Sequence, residues 1–137
     1  MNRSLVFDAG ALIAVERRST RLQELVRRAR SRDAAVVVPT AVVAQVVRAG
    51  GRQVDLRRFL ADSCVRFVGL DYPTALQIGA LLNESGLGQS GPGESGTADV
   101  VDAAVVVCAR ALDLCPVVTS DPEDLRKLDP AVPLIVI

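Results

Sequence analysis

Apolar residues recur along this chain in two rhythms. Short runs rich in valine, leucine and isoleucine, at Leu5 to Phe7, Ala35 to Val38, Val65 to Val68, Pro116 to Thr119 and Leu134 to Val136, have the length of buried strands. Between them lie stretches with helical spacing. Ala9 to Val15 follows the first strand directly. Thr20 to Arg30 sets Leu22, Leu25, Val26 and Ala29 on one side and arginines on the other, and Val54 to Ala61 and Pro73 to Leu82 continue the alternation. Short apolar strands alternating with helices predict an α/β fold with a mainly parallel central sheet covered on both faces. The length suits a single domain over 1–137, and no internal repeat interrupts it.

Val100 to Ala111 tests the two rhythms against each other. Valines at 100, 101, 105, 106 and 107 favour a strand on propensity. The apolar run nevertheless outlasts the ~4 to 8 residues of a buried strand, and Ala103, Ala104, Ala109 and Ala111 are good helix formers. A helix is predicted, with Thr97 or Asp99 available to cap it. Only its first turn, Arg110 and Asp113 are polar, so it belongs at the centre of the molecule. Asp99 and Asp102 then share one face, whereas a strand would send them to opposite faces.

Other boundaries follow from local chemistry. Pro39 is expected to stop the second strand and Thr40 to cap the helix AVVAQVVR, in which Gln45 interrupts an apolar row, with Gly50 and Gly51 closing it. Gly86 to Gly96 holds five glycines, two serines and Pro92. It lacks the GK[ST] ending of a phosphate-binding P-loop, so it reads as a flexible connection or a flap beside a site.

Composition removes several chemistries. There is no histidine, which excludes Ser-His-Asp and Cys-His mechanisms and an imidazole base. Cys64, Cys108 and Cys115 form no CxxC pair and read as reduced core thiols of a cytoplasmic protein. No apolar segment reaches the ~20 residues that span a bilayer, and the run ending at Asp8 is too short for a signal core. No membrane partner is therefore expected. The net charge of zero conceals a polarity: residues 1–66 hold 13 of the 16 basic and 6 of the 16 acidic side chains, and the remainder hold the converse surplus. Arg17 to Arg32 contributes seven arginines, a surface for RNA phosphates or for an acidic protein segment, or a solvated helix face.

The candidate chemistry lies in four aspartates. Asp8 ends the first strand, Asp121 ends the strand Pro116 to Thr119, and Asp99 and Asp102 open the long helix just before it. Singly, each fits a helix cap. Asp121 precedes Pro122, with Asp124 placed for a capping box. Jointly, if the two strands are parallel neighbours, the four carboxylates converge where open sheets bind ligands, beyond the carboxyl ends of the strands. Carboxylates so placed repel unless a cation neutralises them. Oxygen donors alone suit Mg²⁺ or Mn²⁺, and the matching reaction is phosphodiester hydrolysis.

The segments LVFDAGALIAV, DVVDAAVVVCARAL and VVTSDPEDLRKL, in that order and spacing, resemble the motifs of the PIN-domain ribonucleases, specifically the VapC toxins of bacterial toxin–antitoxin pairs. The resemblance covers nearly the whole chain. It implies a three-layer α/β/α PIN-like domain, usually a homodimer, acting as a Mg²⁺-dependent endoribonuclease on single-stranded RNA and inhibited by a small cognate antitoxin. By matching motifs, Asp8 takes the family's first acidic position, Asp102 the third and Asp121 the fourth, all as metal ligands, with Asp99 an additional acid. The family's second acid is a glutamate on the helix after the second strand, and the matching context here carries Gln45. An amide oxygen can bind a metal or orient water but brings no charge. Two readings follow, an active ribonuclease in which Gln45 orients and a catalytically weakened PIN-like binding module. A metal-dependent DNA nuclease is a third. A phosphotransfer receiver is disfavoured because no adjacent acidic pair follows the first strand.

Overall fold

The computed structural model describes residues 4–48, 52–86 and 96–137, and the side chains of residues 96–99 lie outside that description. Five strands form one sheet: β1 (Leu5–Phe7), β2 (Val36–Pro39), β3 (Val65–Val68), β4 (Val117–Thr119) and β5 (Leu134–Val136). Their spatial order is β3-β2-β1-β4-β5, and every neighbouring pair is parallel. The expected sheet is thus present, wholly parallel, with the first strand in the middle.

Seven helices are described: α1 (Ala9–Glu16), α2 (Thr20–Ser31), α3 (Thr40–Val46), α4 (Val54–Leu60), α5 (Tyr72–Ser85), α6 (Gly96–Ala111) and α7 (Pro122–Leu128). From β1 the chain steps outward to β2 and β3, then returns past β1 to β4 and β5. Because parallel crossovers are right-handed, the outward steps lay helices on one face and the return steps lay them on the other. The packing agrees. α1 packs against α2 and α4, while α5, α6 and α7 pack against one another. The result is a three-layer α/β/α arrangement, and the direction of winding reverses between β1 and β4.

Val6, Phe7, Val36, Val37, Val38, Val117 and Val118 fill the middle of the sheet, all buried. Phe7 stacks on Phe59 of α4 with ring centroids 5.7 Å apart. On the other face, α6 is the central helix that its composition predicts, with Val101 and every residue from Ala103 to Ala109 buried. Valine in a helix costs at most about 0.7 kcal/mol relative to alanine, whereas fully burying its side chain contributes about 1.5–3 kcal/mol. Burial therefore decides the conformation against local propensity.

Three boundaries differ from expectation. β2 ends at Pro39, which is itself the last strand residue, paired with Val68, so the strand runs one residue further than the expected Val38. Thr40 does not cap α3. It is the first helical residue, and its hydroxyl donates to the Val68 carbonyl at 3.3 Å, tying the start of α3 to the end of β3. α3 itself ends at Val46, with Val47 in the C-cap position; Gly50 and Gly51, expected to close it, lie outside the described residues. The glycine-rich stretch 87–95 also lies outside them. Gly86, at φ 77°, closes α5 in the left-handed region that glycine enters without strain.

Candidate active site

The carboxyl edge of the sheet is assembled around Asp8. β1 delivers this residue to the first position beyond the strand, where it becomes the N-cap of α1, its Oδ1 accepting from the Ala11 N–H at 2.9 Å. Capping and placement in the site are therefore one arrangement. Asp8 is only 6% exposed. Pairing of Phe7 with Val118 sets Asp8 level with Thr119, the fully buried last residue of β4. The Thr119 hydroxyl bonds to the Asp8 carboxylate and also accepts the Asp121 N–H at 3.0 Å, so one side chain positions both acids.

Burial pushes the Asp8 carboxyl above the usual aspartate range. Hydrogen bonds from Thr119, Ala11 and Gly10 act in the opposite direction, and the neighbouring Asp121 carboxylate raises it further. Burial is the main cause, and Asp121 makes the smallest contribution.

Asp121 is exposed at the start of α7. The expected capping role is not found: Asp121 occupies the N-cap position with Pro122 following, but its side chain makes no cap bond. Its N–H is taken by Thr119, which removes the donor a reciprocal capping box would use. The carboxylate is left beside Asp8 without a helix-capping task. Asp102 lies in the second turn of α6, half-buried, on a helix that packs against β1 and β2. Asp99 is on the same side of α6 by helical spacing, and its side chain lies outside the described residues. Gln45 is exposed on α3, which packs against both α1 and α6 and so bridges the two helical layers. Among the described residues, Asp8 and Asp121 are brought together, and no three carboxylates or thiols form a ready-made metal cage. Two acids suffice for a magnesium site that retains several waters.

Two contributors were not visible as such in the sequence. Thr119 reads there as the end of a strand, although a hydroxyl two residues before an aspartate is the signal that could have marked it. Gly10 reads as part of α1. In the structure a Cβ at position 10 would meet the Ser120 side chain in a hard clash and lie 3.1 Å from the Ser120 backbone nitrogen. The close approach of α1 to the loop after β4 is what sets Asp8 beside Asp121. Gly10→Ala is accordingly expected to lose about 1–3 kcal/mol of stability through overpacking and to weaken divalent-metal binding. Urea unfolding and calorimetry check the two effects; a variant equal to wild type in both would show that the loop yields freely.

The cysteines are free thiols, Cys108 and Cys115 buried and Cys64 partly so. Burial pushes the Cys108 thiol up to about 11, with Cys115 contributing, so it is protonated at neutral pH and suited to the core.

No protein-family model and no curated protein matches the sequence. Solved structures do match the fold. The crystal structure of VapBC2 from Rickettsia felis, bound to a DNA fragment from their promoter, superposes with a TM-score of 0.71 at 11% identity, covering 98% of this chain and 98% of that one. The fold is PIN-like. The crystal structure of FitAcB from Neisseria gonorrhoeae matches with a TM-score of 0.62 at 16% identity over 96% of each chain. Identities this low carry the PIN-like fold and not the roles of side chains. At its switch point this PIN-like chain carries the Asp8–Thr119–Asp121 arrangement. Among the described residues no helix is long and apolar enough to cross a membrane.

Proposed function

We propose that this chain is a Mg²⁺- or Mn²⁺-dependent endoribonuclease of the VapC toxin kind, acting in the cytoplasm as a homodimer and held in check by a cognate antitoxin. The observation that carries this reading is the buried Asp8 carboxyl, raised in pKa beside Asp121 at the switch point of a wholly parallel sheet. Similarity of fold to the VapBC2 and FitAcB structures supports the toxin assignment and the antitoxin partner.

Asp8 and Asp121 would hold the divalent ion, with Asp102 joining them once the ion is bound and Asp99 supporting. When bound, the ion supplies a water of lowered pKa and neutralises charge on the phosphate. Thr119 keeps the Asp8 carboxylate in one orientation and ties it to the backbone at Asp121. Gln45 orients a water or phosphate oxygen through its amide. Gln45 brings no charge where the family has a glutamate, and the alternative this raises, a PIN-like binding module with weakened turnover, is tested by Gln45→Glu.

The direct test is cleavage of a labelled single-stranded RNA. Cutting is expected in Mg²⁺ or Mn²⁺, is expected to stop with EDTA, and should leave a DNA strand of the same sequence intact. Cleavage that persists in EDTA would overturn the metal-dependent reading. Equal cutting of DNA would move the assignment to a general nuclease.

A further inference from the structure

The arginines most conspicuous in the sequence are not the ones best placed to hold a substrate. In α2, Arg27 and Arg28 both pair with Glu24 and hold its carboxyl well below the usual range, at about 2. Arg30 pairs with Asp62 and Arg18 with Asp55. Much of the positive charge between Arg17 and Arg32 is thus locally compensated.

Arg48 and Arg57 differ. Among the described residues neither has a carboxylate partner, and both guanidinium groups are oriented by backbone carbonyls. Arg48 Nη1 donates to Ala44 O and Val47 O, each at 3.0 Å, and Arg57 Nη2 donates to Arg48 O at 2.8 Å. Gln53 stiffens the same corner from both ends of its amide: its Oε1 accepts the Arg48 N–H at 2.8 Å, and its Nε2 donates to Val46 O at 3.0 Å. Two cations without a carboxylate partner are therefore held on a hydrogen-bonded corner, and among the described residues their remaining N–H donors have no partner. Arg48 lies three residues beyond Gln45 on the chain leaving α3, the helix that packs against both α1 and α6.

We infer that Arg48 and Arg57 form a phosphate clamp that grips the backbone of single-stranded RNA at the corner between α3 and α4. The inference rests on the ribonuclease reading and deepens it. The acids would carry the reacting phosphate through a cation, and this corner takes a further phosphate of the strand directly. Guanidinium suits that task because its planar fork can give two parallel N–H bonds to phosphate oxygens. Donors already fixed by the protein lose less freedom on binding.

The test uses full-length Asp8→Asn protein, which binds without cutting, and a fluorescein-labelled single-stranded RNA followed by anisotropy across a salt series. In that background, Arg48→Ala with Arg57→Ala is expected to lower affinity about tenfold or more at low salt. The log–log salt slope should fall by about 1.4, because each phosphate neutralised on a single strand contributes ~0.7 to it. Arg57→Lys, which keeps the charge but not the fork, should restore part of the affinity and nearly all of the slope. Arg126→Ala with Lys127→Ala on α7 should change neither, and thermal unfolding confirms that each variant is folded. RNA binding with unchanged affinity and slope in the folded double variant overturns the clamp alone, and leaves the corner to an acidic protein segment. No RNA binding by the Asp8→Asn parent at low salt overturns the clamp and the ribonuclease reading together.

Discussion

Asp8→Asn is expected to abolish metal-dependent RNA cleavage, by three orders of magnitude or more, while leaving the fold intact or more stable. A thousandfold loss corresponds to about 4 kcal/mol of transition-state stabilisation. The substitution removes one charge from the metal site and little else. Asparagine caps helices as well as aspartate does, so its Oδ1 can still accept from the Ala11 N–H. The stability gain follows from linkage. The folded-state pKa of Asp8 lies above its ordinary value of 3.8. Between those two values the folded protein holds the proton more tightly than the unfolded chain. Wild-type stability therefore falls as pH rises through that window, and the penalty remains in full above it. The Asn variant lacks this component, so its advantage over metal-free wild type should grow from low pH and then level off. Added Mg²⁺ should stabilise wild type alone. Cleavage assays, with thermal unfolding at several pH values, read out each part; an unchanged cleavage rate would remove Asp8 from the site.

Gln45→Glu has the next largest expected effect, and it separates the two functional readings. Position 45 is exposed on α3, so a charge there carries little desolvation cost. A carboxylate reaching the ion should raise metal affinity by about 10- to 100-fold, the range seen when groups around a metal are changed. If Gln45 already orients water in a working enzyme, cleavage at saturating metal should rise only a few-fold. A rise of two orders of magnitude or more would mean that turnover had been lost through this one residue. Metal titrated by calorimetry, beside cleavage rates at saturating metal, distinguishes affinity from turnover. Neither one changing would place residue 45 outside the site.

Much of this protein was already written in its sequence. Strand and helix periods, the length of the 100–111 segment and the placement of Asp8 and Asp121 after short valine runs dictated an α/β alternation and an acidic edge, because these depend on neighbouring residues and on burial that composition announces. The tertiary structure alone decided the rest. Strand order put β4 beside β1, and only that adjacency makes Asp8 and Asp121 neighbours. Thr119 became the link between the two acids through register, and Gly10 mattered through its close approach to Ser120, 110 residues further along the chain. The cap expected of Thr40 failed because a tertiary partner, the Val68 carbonyl, takes its hydroxyl, and Asp121 stands at the N-cap position without a cap bond, its N–H held by Thr119 two residues before. Arg18, Arg27, Arg28 and Arg30 are paired with carboxylates, some of them far along the chain, whereas Arg48 and Arg57 are held by backbone carbonyls. Local sequence specifies elements through short-range sterics and periodic burial, whereas a site depends on charges and hydrogen bonds between segments distant in the chain, and these exist only once the sheet has ordered its strands.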